Sequence, residues 1–467
     1  MKKILFLFTS LSISVVLYSQ QSTNYFIFQG VGSTLGPIHD VLDNPMGMEQ
    51  PPSYGALYVL ANKLSTTQQQ YVKNNQPDPL TTPGSNNVII GHSQGGLRAL
   101  AWAGFCAQSN GKYPVPNTVI TVSGINNGFV ALIQGIGNLE NEISEDIVTI
   151  VNGINYTYNI GATNNLNSAQ KAALQQLMTN NPISSLINSP SIPDMEPWST
   201  FIQDYICGPT KPFNAPPPFH LDTISRGGLP GLVVTTTNNL YPQIPSKVKI
   251  GQIVGTDNSF LDIASQCIPS QQVPTDPLSL RQLVFVARGA ANISGIGWAC
   301  AELYYSQLAN VAWWYAWINS SDYNNDIAQE NYCANASTIE ENFSNFLTNI
   351  DSEWAQLIGS PQSDGFIPTC DTGIPLSLIG GQSINPAVPN GIYVLPPYDT
   401  NYTIAGGIIG AYNPPINHIT EGRDNEIWGP LPGPINTAAF NGGSIETGGI
   451  IQQMLGLSQQ TKITIVQ

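Results

Sequence analysis

Asn87-Val88-Ile89-Ile90-Gly91-His92-Ser93-Gln94-Gly95-Gly96 is the stretch that decides the fold. Val88 to Ile90 is a continuous run of β-branched apolar residues and reads as a buried strand. Gln94 to Ala107 then carries apolar or small residues at helical spacing, among them Leu97, Leu100, Ala101 and Gly104. Between strand and helix stands Gly91-X-Ser93-X-Gly95. In that context the serine is expected on a sharp, strained turn. The flanking glycines are required because a side chain there would collide with the adjacent strand or helix, and Gly96 adds room. The helix that leaves the turn points its N-terminus at the hydroxyl, an end that favours developing negative charge.

Working outward, Asn24 to Phe28 reads as a first strand ending in the glycine-rich Gln29-Gly30-Val31-Gly32-Ser33, and Tyr54 to Lys63 as a helix. Thr118 to Val122 is a third strand, after the Val88–Ile90 one. The apolar runs are mostly continuous rather than alternating, as expected of a parallel sheet covered on both faces by helices. The pattern lapses from about Gly124 to Pro245, where Asn/Thr/Gln-rich helical pieces dominate and Pro216-Pro217-Pro218 breaks regular structure. Val248 to Val254 restores a strand. Ile296 to Ile318 reads as an aromatic-rich helix, with Trp298, Trp313, Trp314 and Trp317. Gly391 to Leu395 is a late strand, and Gly449 to Leu457 a short closing helix.

The bulk properties narrow the class. The chain has 467 residues, 42% of them hydrophobic, which allows a large core. Only 10% are charged, against about a quarter in ordinary domains. Net charge is −15 with 15 Lys and Arg, and no basic run lies beyond Lys2-Lys3. Nucleic-acid binding needs clustered cations and is excluded, and stable docking on anionic membranes is disfavoured. Residues 1–19 read as an export signal: Lys2-Lys3, an apolar stretch from Ile4 to Leu17, and a cleavage zone at Tyr18-Ser19-Gln20-Gln21. A secreted protein, extracellular or periplasmic, is expected. The cysteines at 106, 207, 267, 300, 333 and 370 permit disulfides, though Cys106 falls on the buried helix and reads as a packed thiol. Their spacing is not that of a zinc site.

Ser93 on such a turn is a candidate nucleophile. A tetrahedral oxyanion needs two backbone N–H donors, expected from Gln94 and from Val31 in the early glycine loop. His92 is too close in the chain to aim at the same hydroxyl and is expected to pack or support from behind. In this chain order the base follows the serine, which leaves His220, beside the proline run, and His418, after the late strand. His418 is assigned as the base. Two acids compete. Asp257 follows the Val248–Val254 strand, whereas Asp364 sits in an Asp-Gly turn running into Phe366-Ile367-Pro368.

Three islands carry a family resemblance. Residues 87–96, the acid segment Asp364-Gly365-Phe366-Ile367-Pro368-Thr369-Cys370 and the base segment Asn417-His418-Ile419-Thr420-Glu421 resemble those of bacterial triacylglycerol lipases of the α/β-hydrolase superfamily. The resemblance implies an α/β-hydrolase fold and tips the acid to Asp364. It also implies a loop beside the nucleophile at Gly124-Ile125-Asn126-Asn127-Gly128. Two positions depart from it. Gln29-Gly30 stands where the family has His-Gly. Thr420 stands where many members place a calcium-binding Asp, with Asp424 the nearest substitute, so a structural calcium is possible but not supported.

The domain layout implied is a hydrolase core at 20–124 and 246–467, a helical lid or cap at 125–245, and a second helical insertion at about 260–355. Phe129, Leu132, Ile133 and Ile136 have a helical spacing that fits either a lipid-facing lid or plain core. The expected function is ester hydrolysis, most directly of acylglycerols, without metal or organic cofactor and with transient contact at a lipid interface. Other esters, acyl transfer, or a non-catalytic surface-binding protein on a hydrolase scaffold are the competing readings.

Overall fold

The computed structural model describes residues 23–28, 30, 56–60, 86–129, 131–132, 136–156, 168–179, 189–196, 199–202, 220–223, 232–235, 244–267, 296, 299–309, 320–395, 418 and 464–465, with isolated positions at 67, 68, 70, 72, 451, 454 and 455. The export signal, Val31 and the closing segment around His418 therefore fall wholly or mostly outside the described residues.

The elements in chain order are β1 (Thr23–Phe28), β2 (Ala56–Leu60), β3 (Asn86–His92), α1 (Gln94–Gln108), β4 (Thr118–Val122), α2 (Ile136–Tyr156), α3 (Ser168–Thr179), β5 (His220–Thr223), β6 (Leu232–Thr235), β7 (Ile244–Val254), α4 (Phe260–Cys267), α5 (Ser320–Leu357), β8 (Gly380–Ser383), β9 (Ile392–Val394) and β10 (Thr464–Ile465). The main sheet runs β10-β2-β1-β3-β4-β7-β8, with β9 also on β7. Its pairings are parallel throughout. This is an α/β protein. β3 sits at the centre, Ile89 facing Phe26 on one side and Val119 on the other. A central parallel strand has no solvent face, which is why Val88-Ile89-Ile90 is continuously apolar.

α1 is buried nearly all round, from Gln94 to Gly104 and at Cys106. Trp102 packs its ring 5.3 Å from Phe26 and 5.9 Å from Phe28, seating the helix on β1. Gly96 lets the helix approach closely: a Cβ there would lie 2.5 Å from the Gly124 Cα at the end of β4. A single hydrophobic cluster joins these residues to α2, to Ile192, Met195, Phe201 and Ile202, and to Phe343, Leu347, Ile350 and Trp354 of α5.

Several elements differ from the sequence reading. Residues 56–60 form β2, not part of a helix over 54–63. The run Ala-Leu-Tyr-Val-Leu pairs with β1 on one side and β10 on the other, and such a run has no period that separates strand from helix. β8 was not foreseen, because Gly-Gly-Gln-Ser lacks β-forming residues. Within 125–245, α2 and α3 are helical as expected, but β5 and β6 add a separate antiparallel pair after the proline run. Phe129 and Leu132 are buried in the core cluster. Ile133 lies outside the described residues. Residue 296 and residues 299–309 are helical, while Trp298, Trp313, Trp314 and Trp317 lie outside the description. Among the described residues, no helix is long and apolar enough to cross a membrane. Cys106 is a buried thiol, pushed up to about 12 by burial, and Cys300 and Cys333 are free thiols.

Candidate active site

Ser93 caps α1 with φ 56° and ψ −128°, the left-handed region that a non-glycine residue enters at a cost. The turn is fixed from both sides. Ser93 N–H donates to Val122 C=O at 3.0 Å, and Ser93 C=O accepts from Gly96 N–H at 2.9 Å and Ile125 N–H at 3.2 Å. Gly91 is obligatory: a Cβ there would fall 2.1 Å from the carbonyl oxygen of Gly95. The serine is 5% exposed. Strain is thus held by the sheet below, the helix above and the 124–128 loop beside it.

Three residues far apart in the chain meet here. Ser93 Oγ lies 2.8 Å from His418 Nε2, and His418 Nδ1 lies 2.7 Å from Asp364 Oδ2. For the hydroxyl to donate to Nε2, the ring carries its proton on Nδ1 and gives it to the carboxylate. Asp364 is fully buried. Its other oxygen, Oδ1, accepts from Phe366 N–H at 3.1 Å and Ile367 N–H at 2.7 Å. The turn that presents it has Gly365 at φ +88° and closes through a Ser363–Pro368 bridge. His418 N–H donates to Asp364 C=O at 2.8 Å, so Asp364 and His418 are docked by main chain as well as side chain.

Asp257, the competing acid, is not the partner of His418. Its carboxyl shares a hydrogen bond with Asp262. Burial, then the charges of Asp262, Asp351 and Asp364, hold it well above the usual carboxylate range. Two carboxyls in this arrangement keep a proton between them. The neighbouring chain is nonetheless part of the support, since Asn258 Oδ1 accepts from Ser363 N–H at 2.7 Å and Asn258 N–H donates to Ser363 C=O at 3.1 Å.

Gln94 is the first residue of α1, where N–H groups lack an intrahelical partner, as an oxyanion donor must. Val31 lies outside the described residues, but Gly30 before it is packed on the turn: a Cβ at Gly30 would meet Ser93 Cβ at 2.7 Å. Asn126 in the 124–128 loop is fully buried and donates Nδ2 to Thr121 Oγ1, Gln252 Oε1 and Thr372 C=O, at 2.9, 3.1 and 2.6 Å. His220 is at the start of β5. Thr420 and Asp424 lie outside the described residues.

Sequence reasoning missed an aromatic buttress. Phe366 stacks on Trp354 of α5 at 5.4 Å, and Trp354 stacks on Phe260 of α4 at 4.1 Å. Phe366 also stands 5.8 Å from the His418 ring and 5.6 Å from Phe129. No local pattern announces it, because the rings come from four separate segments. The sequence matches no protein-family model, and no curated protein matches it significantly.

Proposed function

We propose that this protein is a serine ester hydrolase of the α/β-hydrolase type, with acylglycerols as its substrate class. The observation that carries the reading is the unbroken chain Ser93 Oγ–His418 Nε2–Asp364 Oδ2, at 2.8 and 2.7 Å, with its serine on a strained strand-to-helix turn. His418 takes the Ser93 proton as Oγ attacks the acyl carbonyl. Asp364 holds the productive tautomer and stabilises the imidazolium. Backbone N–H groups of Gln94 and Val31 receive the oxyanion, at the positive end of α1. His418 then protonates the departing alkoxide. Water, activated by the same imidazole, releases the acid and restores Ser93. The acylglycerol assignment rests on the resemblance of the three sequence islands, and secretion on the first 19 residues.

The test is a phosphonate active-site probe with mass spectrometry of the adduct. Wild type is expected to label at Ser93 and Ser93→Ala to remain unlabelled. A folded wild type that no such probe labels is the result of a binding protein, and would end the enzyme reading. Hydrolysis of p-nitrophenyl esters from acetyl to palmitoyl then separates classes, since a steep preference for acetyl or butyryl replaces lipase by small-ester esterase.

A further inference from the structure

We propose that His92 is a positioning residue that clamps His418 onto the nucleophile turn, through a hydrogen bond from its imidazole to the His418 backbone. The proposal rests on the Ser93–His418–Asp364 reading and goes beyond it.

His92 Nε2 lies 2.8 Å from the carbonyl oxygen of His418, a residue 326 positions away. A carbonyl can only accept, so the nitrogen facing it is an N–H and the tautomer of His92 is fixed. The rings of the two histidines lie 5.2 Å apart at 32°. His418 is therefore gripped through both of its backbone polar groups. Its N–H goes to the acid turn at Asp364, and its C=O receives the residue next to the nucleophile. Since His92 and Ser93 are adjacent on one rigid turn, this contact and the 2.8 Å Ser93 Oγ–His418 Nε2 contact share one origin. Displacement of a reacting group by about 1 Å can cost on the order of 100-fold in rate.

The other face of His92 explains why the clamp is permanent. Nδ1 is buried without a hydrogen-bond partner among the described residues. It lies against Gly30, where a Cβ would be 3.1 Å away. A second proton would have no acceptor there. Burial, followed by the charge of His418, lowers the His92 pKa to about 3. The imidazole thus stays neutral, with its one N–H on the carbonyl, above about pH 3.

The experiment compares wild type with His92→Gln, His92→Asn and His92→Leu, all as the full chain, by steady-state hydrolysis of p-nitrophenyl butyrate and by thermal melting. Gln carries its amide nitrogen as many bonds from Cα as Nε2, whereas that of Asn matches Nδ1 and cannot reach the carbonyl. His92→Leu and His92→Asn are expected to lower kcat by roughly 100-fold, with KM changed less than about three-fold. His92→Gln is expected to recover kcat to within about five-fold of wild type. Gln and Asn are alike in polarity, so their comparison stands even where the Leu variant is too unstable to purify. Equal activity in Gln and Asn variants, whether high or low, overturns the clamp while leaving the hydrolase reading intact. A wild type that neither turns over ester nor labels at Ser93 removes the underlying reading instead.

Discussion

Replacing Asp364 by Asn tests the candidate site at its most discriminating point. The change preserves shape. Asn retains an oxygen for the Phe366 and Ile367 N–H groups at 3.1 and 2.7 Å, so folding is expected to survive. What changes is the atom facing His418 Nδ1 at 2.7 Å, where an amide N–H replaces a carboxylate oxygen. Two donors then face one another. His418 escapes by moving its proton to Nε2, the nitrogen that must be bare to accept from Ser93. Two routes give the magnitude. A unit charge pair at that 2.7 Å separation in an effective dielectric of about 20 is worth about 6 kcal/mol, which is lost when the imidazolium forms opposite an amide. The same replacement in serine-protease triads lowers kcat by about 10⁴, or roughly 5.4 kcal/mol. Asp364→Asn is therefore expected to lose about four orders of magnitude in kcat, with melting within a few degrees of wild type. The control is Asp257→Asn. One carboxyl of the Asp257–Asp262 pair holds a proton at neutral pH, so a neutral amide there should leave ester hydrolysis within about three-fold. Steady-state kinetics on a soluble ester decides it. An Asp364→Asn enzyme that keeps a tenth of wild-type kcat, or an Asp257→Asn enzyme that loses more than it does, refutes the reasoning.

Further expectations follow from the same geometry. Ser93→Gly should abolish activity yet melt higher than Ser93→Ala, by about 1 kcal/mol, because glycine relieves the φ 56° strain; equal melting would show that the turn stores none. Gly91→Ala should cost about 3 kcal/mol or prevent soluble accumulation, since its Cβ would sit 2.1 Å from Gly95 O, and near-native melting would contradict the packing of the turn. Trp354→Ala should cost about 3–5 kcal/mol and also lower kcat, because the stack under Phe366 is lost, whereas a drop in stability with unchanged kcat would detach the buttress from the site. Stability should fall as pH rises through the mildly acidic range, because three carboxyls, Asp146, Asp257 and Asp262, are raised there against one lowered imidazole, His92. Asp146 is raised from 3.8 to about 7 by burial, then by Glu142, Glu353 and Glu145, so the native state holds a proton the unfolded chain has lost, and this contribution fades as pH rises from 3.8 to about 7. His92 is lowered from 6.5 to about 3, so its contribution is full above 6.5 and fades as pH falls toward 3. Between those values the His92 slope opposes that of Asp146, to which the raised Asp257 and Asp262 add. Asp146→Asn should make the fall of melting temperature with rising pH shallower across that range, and an unchanged curve would sink the assignment.

How much was legible in the chain depends on how local each cause is. β3, Ser93 and α1 could be read because a strand, a pair of glycines and a helix stand side by side within 23 residues. β4 was read at its observed limits for a similar reason, as five apolar or β-branched residues buried throughout. β2 was misread because its strand character comes from neighbours on either side, β1 and β10, the second of which is more than 400 residues away. The preference for Asp364 over Asp257 came from resemblance, since both are aspartates beside turns. What separates them is which carboxyl faces His418, a fact of tertiary structure. The His92 clamp and the Trp354–Phe366 stack are of the same kind, made by residues whose chain neighbours give no hint of the partner.

The separation of Ser93 from His418 also sets an order of events during synthesis. Ser93 and His418 are 325 residues apart. At about 5–20 residues per second, a ribosome reaches His418 roughly 16 to 65 s after Ser93. For that interval the emerging chain holds a serine turn with no base to deprotonate it and no partner for Asp364. The acid itself arrives well after the strands around β3. On the proposed hydrolase reading, a fragment cut short anywhere before residue 418 should be inert however well its central sheet has formed.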